Sequence, residues 1–293
     1  MPTQAKTRKK TTKPAAKRAA PKTAKPAARA AAAMTAANAA APRTVTIDGK
    51  ERYHEPAPKG IDLESFRQVV SSRRSVRKFT DKPIPKAVLD DCLDMALLAP
   101  CSSGLQPWEF YVVKSADKKA RLVKACMSQL AAKTAAELIV CVARTDRVQE
   151  FSRKMLREWP MPDVPVLVKR YYQLIPYNYA PGPLNSFAMV KKAATAAGGL
   201  LAAVPRGPYT SAEVKLWAAK STALACENLV LALRAHGYDS CMMEGFDEVR
   251  VSKLLKLDDA AFPIMVVGAG ERAADGVFWP QLRFDRKLFV HEV

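Results

Sequence analysis

Apolar residues recur along this chain with two different periods, and the switches between them mark its elements. Spacings of three and four predict helices over residues 63–71, 86–99, 118–128, 151–158, 186–203 and 211–236. Short apolar runs bounded by turn residues predict strands at 110–113, 138–143, 239–243 and 264–268. Helices outnumber strands, and residues 145–210 are helical, aromatic and rich in proline. The pattern predicts a single α+β domain over residues 61–293, a mixed β-sheet wrapped by helices. No run reaches the roughly 18 apolar residues that a membrane span requires.

Composition changes that picture only at the N-terminus. Of the 47 basic residues 14 fall in residues 1–60, against 3 of the 28 acidic ones, so +11 of the net +19 sits there. This segment is Lys/Ala/Pro-rich, with a near-repeat (KPAAKRAAP, KPAARAAA) and almost no large apolar side chain. It offers too little surface to offset the entropy of ordering, which predicts a disordered tail over residues 1–55. Its alanines begin too late and too diffusely for a secretory signal. A solvated polycation is the plain reading, and nonspecific nucleic-acid contact through phosphate neutralisation is the second.

Cys92, Cys101, Cys126, Cys141, Cys226 and Cys241 form no CxxC pair and mostly lie in apolar runs, as expected of reduced, buried thiols in a cytoplasmic protein. His54, His236 and His291 have no ligand spacing, so no metal site is expected; His236 suits the end of the long helix before Gly237. Gly268-Ala269-Gly270 lacks a third glycine and a following helix, and reads as a turn rather than a dinucleotide fingerprint.

Three short clusters carry chemistry. In RRSVRKF (residues 73–79), alternation places Arg73, Ser75 and Arg77 on one side of an extended segment, two guanidinium forks and a hydroxyl suited to a phosphate monoester. A solvated basic turn accounts for the same residues. In MEGFD (243–247), a glycine after a strand admits close approach of a flat ligand, or simply makes a turn. PCSSGLQPW (100–108) is more polar and more constrained than a connector requires.

Together and in this order, RRSVRKF, Pro83 and Pro85 before a helix ending in AP, SSGLQPW, the segment LWAAKSTALACENLVLALRAHGYDSCMMEGFD (216–247) and Arg283 in PQLRF resemble the flavin-dependent nitroreductase family. The resemblance covers residues 61–293, with the tail and much of 145–210 outside it. It implies a homodimer with FMN in each of two clefts at the subunit interface, NAD(P)H as electron donor, and no catalytic side chain, since the flavin carries the chemistry. By match to the family pattern, Arg73, Ser75 and Arg283 would contact the FMN phosphate, with Arg77 and Lys220 near the N1/O2 edge of the ring. Glu244 and Gly245 would offer backbone groups to the N5/O4 side. Arg74 and Met243 complete these two clusters. Cys101, Ser102, Ser103, Gly104 and Gln106 would lie along the pyrimidine edge.

The chain departs from the family pattern at Cys101, which stands for a serine, at Gly104, which stands for an asparagine, at Gln281, where a lysine is common, and at Ser221, where glutamine occurs. The implied acceptors are nitroaromatics, quinones or enones, which aromatics of residues 145–210 would help to bind. The alternatives are reductive dehalogenation or dehydrogenation on the same fold, or polyanion binding through the tail.

Overall fold

The apolar run that begins at Leu138 becomes a strand buried along its whole length, and the rest of the domain is arranged around it. A computed structural model describes residues 44–55 and 59–293. Strand β4 (Glu137–Arg144) has all eight residues buried. Its neighbours are β3 (Trp108–Val112) and β6 (Ala261–Gly270), and β6 carries β5 (Asp239–Met243) on its far side, giving the order β3-β4-β6-β5. These pairs are all antiparallel. The parallel component of the expected mixed sheet is a single bridge from Ser75 to Ser240 along the outer edge of β5. The β4–β6 register shifts at Cys141/Val142, beside Pro263, whose ring nitrogen has no hydrogen to give the ladder.

Period-two alternation sends the side chains of β4 to two cores. Leu138, Val140 and Val142 meet Val76, Leu122 and Val251, under α3 (Ala116–Ala125) and α9 (Glu248–Leu255). Ile139 and Cys141 meet Cys92, Leu229 and Leu233, under α2 (Lys86–Leu97) and α8 (Ser211–Ala235). Helix α8 starts in a capping box between Thr210 and Glu213. It ends at His236, whose Nε2 lies 2.6 Å from the Asp91 carboxylate, a structural pairing. The remaining helices are α1 (Leu63–Ser72), α4 (Leu130–Thr134), α5 (Val148–Arg157), α6 (Val166–Tyr179) and α7 (Ser186–Gly198). Helix α7 stops before residue 203, where Gly198-Gly199 weaken the helix.

Several expectations are corrected. Residues 1–43 of the tail lie outside the described residues, but Thr44–Ile47 and Lys50–Tyr53 form an antiparallel hairpin, β1 and β2, within the segment expected to be disordered. Asp48 and Gly49, with φ of 52° and 72°, supply the two left-handed positions that a tight hairpin turn needs. Gly268 and Gly270 belong to β6 rather than to a turn; a Cβ on Gly270 would sit 3.1 Å from the Phe79 side chain, so the glycines admit close packing. Residues 289–293 follow a short 3₁₀ turn (Arg286–Leu288) without regular structure, and Phe289, Val290 and Val293 are exposed. Among the described residues no helix is long and apolar enough to cross a membrane, no group of three His, Cys, Asp or Glu could hold a metal ion, and all six cysteines are free.

Candidate functional site: an arginine-lined pocket and a strained loop

Helix α1 ends at Ser72 because Arg73 leaves helical geometry (φ −63°, ψ 128°), and the chain continues extended along β5. Val76 N–H donates to the Ser240 carbonyl at 3.0 Å, and Arg77 N–H to that of Gly276 at 2.7 Å. Val76 and Phe79 are driven into the core. Arg73, Ser75 and Arg77 line a pocket of about 330 Å3 with residues 277–283, so the C-terminal segment brings Arg283 to them across some 200 residues of sequence. Arg74 also lines the pocket, but its guanidinium donates to the Trp279 carbonyl and fixes that wall. Gln281 completes the wall and adds an amide rather than a charge.

No carboxylate lines this pocket, and among the described residues none of its four arginines forms an ion pair. Arg77 Nη1 lies 3.3 Å from Cys241 Sγ; burial pushes that thiol up, against the opposing effect of Arg77. Several positive charges brought together without a counter-ion repel one another unless an anion binds. The donor set matches a phosphate monoester, which carries about −1.5 to −2 near neutral pH.

The exit of β5 adjoins this cluster. Met243 is buried, whereas Glu244 and Gly245 are exposed. Gln129 Nε2 donates to the Gly245 carbonyl at 2.7 Å, and a Cβ on Gly245 would lie 3.4 Å from that nitrogen. Sequence reasoning misses Gln129 because it belongs to no motif and nothing in its local sequence marks it as part of this site. Lys220 is exposed on α8, next to buried Ser221.

The loop 101–106 lies elsewhere. It precedes β3, the opposite edge of the sheet from β5, and the arginine segment runs outside β5, so four strand spacings, roughly 19 Å, separate the two. Ser103 and Gly104 both have φ of 62°, and Gln106 has 43°. Leu105 anchors the loop in the core, and the Pro107 carbonyl accepts from Arg144 N–H at 2.8 Å. Three tyrosines of α6 grip the rest: Tyr171 Oη is 2.7 Å from Ser103 Oγ, Tyr172 O–H donates to the Ser103 carbonyl at 3.1 Å, and Tyr179 Oη is 3.4 Å from Ser102 Oγ. The Cys101 thiol accepts from Gln106 N–H at 3.1 Å, and burial pushes its pKa up, as for an unreactive packing residue.

The structure therefore unites Arg73, Arg74, Ser75, Arg77 and Arg283 in one pocket, with Met243 at the end of the strand beside it and Glu244 and Gly245 just after. It sets Cys101, Ser102, Ser103, Gly104 and Gln106 apart.

The family model described as Nitroreductase family matches residues 70–271. An NADH dehydrogenase of Thermus thermophilus is 26% identical over 204 residues, covering 70% of this chain and 85% of that protein. A protein of Exiguobacterium sibiricum crystallised in complex with FMN is 22% identical, covers 78% of this chain and 97% of its own, and superposes with a TM-score of 0.58. An enone reductase of gut-bacterial fatty acid saturation, 20% identical with coverages of 78% and 97%, gives 0.59.

Proposed function

The chain belongs to the nitroreductase family, and from that premise we propose that it is a homodimeric flavin oxidoreductase that uses NAD(P)H to reduce a nitroaromatic, quinone or enone acceptor. The observation that carries this reading is the pocket of four arginines without a carboxylate. Bound FMN would supply the redox chemistry, taking two electrons from reduced nicotinamide and passing them to the acceptor.

The chain's own part is binding, orientation and electrostatics. Arg73 and Arg283 would hold the phosphate with charge-assisted hydrogen bonds, and Ser75 would donate its hydroxyl. Arg74, committed to the Trp279 carbonyl, would keep the C-terminal wall in place rather than touch the cofactor. Arg77 and Lys220 would place positive charge at the pyrimidine edge, which favours the reduced, anionic ring. Glu244 and Gly245 would present backbone groups to the ring, steadied by Gln129.

The loop 101–106 cannot reach the arginine pocket of its own chain across the sheet, which supports its joining the pocket of a second copy. Leu63, Phe66 and Val70 also form an uncovered apolar stripe on α1, a helix with no buried residue. Residues 61–293 would then be the flavin domain. The tail, with eleven basic residues and no acidic one by residue 43, would add salt-sensitive nucleic-acid binding without a part in the redox chemistry.

Anaerobic mixing of the FMN-loaded protein with NADH or NADPH tests the reading. Bleaching of the flavin, followed by its return on adding a quinone or nitroaromatic, is expected. A flavin that stays oxidised with both nucleotides refutes it. A monomer by sedimentation that binds FMN tightly removes the dimer.

A further inference from the structure

A second cavity, of about 500 Å3, opens between α5, the end of α6 and the turn after β4, and shares no lining residue with the arginine pocket. We infer that it is a binding site for a small aromatic carboxylate, whose ring lies among Tyr172, Tyr177 and Tyr179 and whose carboxylate pairs with Arg153.

Size and lining set the ligand class. The volume suits one substituted ring, and apolar surface dominates, as in sites built for small organic ligands. Tyr177 is largely exposed at the cavity, an arrangement that leaves an aromatic face free for stacking. Two charged groups line the space, and they differ. Asp146 is engaged by Arg144 through two hydrogen bonds of 2.9 and 2.7 Å, which hold its carboxyl below the usual range, so its charge is already matched. Arg153 has no carboxylate within ion-pair distance among the described residues, although its helix neighbours Lys154 and Arg157 both reach Glu158. The cavity thus offers one uncommitted cation beside an aromatic wall, with Gln149 and Gln173 as neutral donors. A neutral ring would leave Arg153 unused, and an inorganic anion would leave the ring wall unused.

The wall also connects the cavity to the strained loop. Tyr172 donates to the Ser103 carbonyl, Tyr179 meets the Ser102 hydroxyl, and the Tyr179 ring packs edge-on against Trp217 at 4.6 Å. A ring seated there touches the residues that hold loop 101–106, so its binding bears on whatever that loop contacts.

Calorimetric titration of the full-length, FMN-loaded protein with benzoate and with benzyl alcohol tests the site. One benzoate per chain is expected, with benzyl alcohol weaker by about tenfold or more because a charge-assisted bond is missing. Arg153→Gln should bring benzoate down to the affinity of the alcohol with an unchanged melting temperature, and Tyr177→Ala should weaken both probes. The site is refuted if benzoate gives no binding heat or binds Arg153→Gln as tightly as the unmodified protein. It is equally refuted if Arg73→Ala rather than Arg153→Gln abolishes binding, because the anion then sits in the other pocket. These outcomes do not depend on redox activity.

Discussion

Arg144 and Arg272 sit among carboxylates that match them, whereas Arg73, Arg77 and Arg283 converge where no carboxylate stands. Arg144 is buried between Asp146 and Asp258, each 2.7 Å away, with Glu109 at 3.7 Å. Arg272 clasps buried Asp239 with two bonds, 3.0 and 2.6 Å long, and Arg234 adds a third at 3.0 Å. In these networks the charge is spent on the fold: Arg144 is itself the buried charge and two more exposed aspartates match it, whereas Arg272 matches an aspartate that could not otherwise be buried. In the pocket the charge is left over, and it repels itself until an anion arrives. The same residue type therefore marks structure in one region and ligand binding in the other, and the distinguishing observation is the partner rather than the arginine.

The sharpest test removes one member of each kind. Arg272→Ala leaves the Asp239 carboxylate buried with Arg234 alone, and losses of this type reach about 3–5 kcal/mol. We expect a lower urea midpoint for Arg272→Ala, with the FMN dissociation constant unchanged wherever the protein is folded. Arg73→Ala should do the reverse. Losing one charge-assisted bond weakens FMN by about 1.5–3 kcal/mol, roughly tenfold to more than a hundredfold. The flavin-free protein should be no less stable than before, since a repelling charge has gone. Fluorescence titration with FMN and urea unfolding of the apo-protein separate the two effects. An Arg73→Ala variant that unfolds more easily while holding FMN normally would reverse the assignment.

How far this contrast could be read from sequence follows from its physical range. The alternation in RRSVRKF was legible because period two is local: burial of Val76 fixes the opposite side for Arg73, Ser75 and Arg77. That Arg74 would be taken by the Trp279 carbonyl was not legible, since it depends on a contact 205 residues away. The four strands of the main sheet were found from their apolar runs, and β5 was found at its full extent. Helix α6 was not resolved as an element because Pro176 interrupts its pattern, and the β1–β2 hairpin was missed because a basic, alanine-rich context concealed a two-residue turn. The loop PCSSGLQPW was conspicuous by composition, but nothing local showed that it would sit on the far edge of the sheet from the arginines.

A smaller effect is expected from the tyrosine grip on that loop. Tyr172→Phe keeps the ring and removes the hydroxyl that the Ser103 carbonyl accepts from, a neutral bond worth about 0.5–1.5 kcal/mol. If the loop serves a partner's flavin, FMN should dissociate faster from Tyr172→Phe, and the bound flavin's visible spectrum should shift. A change in melting temperature alone, with release rate and spectrum intact, would confine Tyr172 to packing.

The smallest and most discriminating change is at Gly104, which stands where the family pattern has asparagine. Its φ of 62° is a conformation in which asparagine is the side-chain-bearing residue most at ease, along with aspartate, and in which a β-branched residue is strained. A Cβ there would come within 3.3 Å of Met155 Cε, the far end of a flexible side chain that can move aside, and 3.7 Å from Tyr172 Oη. The backbone therefore strains asparagine without forbidding it, and the cost to stability should be about 1 kcal/mol, the low end for a left-handed position. Against that cost stands an amide able to donate to and accept from a flavin edge, worth about 0.5–1.5 kcal/mol, or roughly two- to tenfold in FMN affinity. Gly104→Asn should accordingly bind FMN more tightly, whereas Gly104→Val, which brings strain without the amide, should bind it no better and unfold more easily. Should asparagine and valine weaken FMN equally, the loop would have to be assigned to close packing against Met155 and Tyr172, and the arginine pocket would hold the cofactor without it.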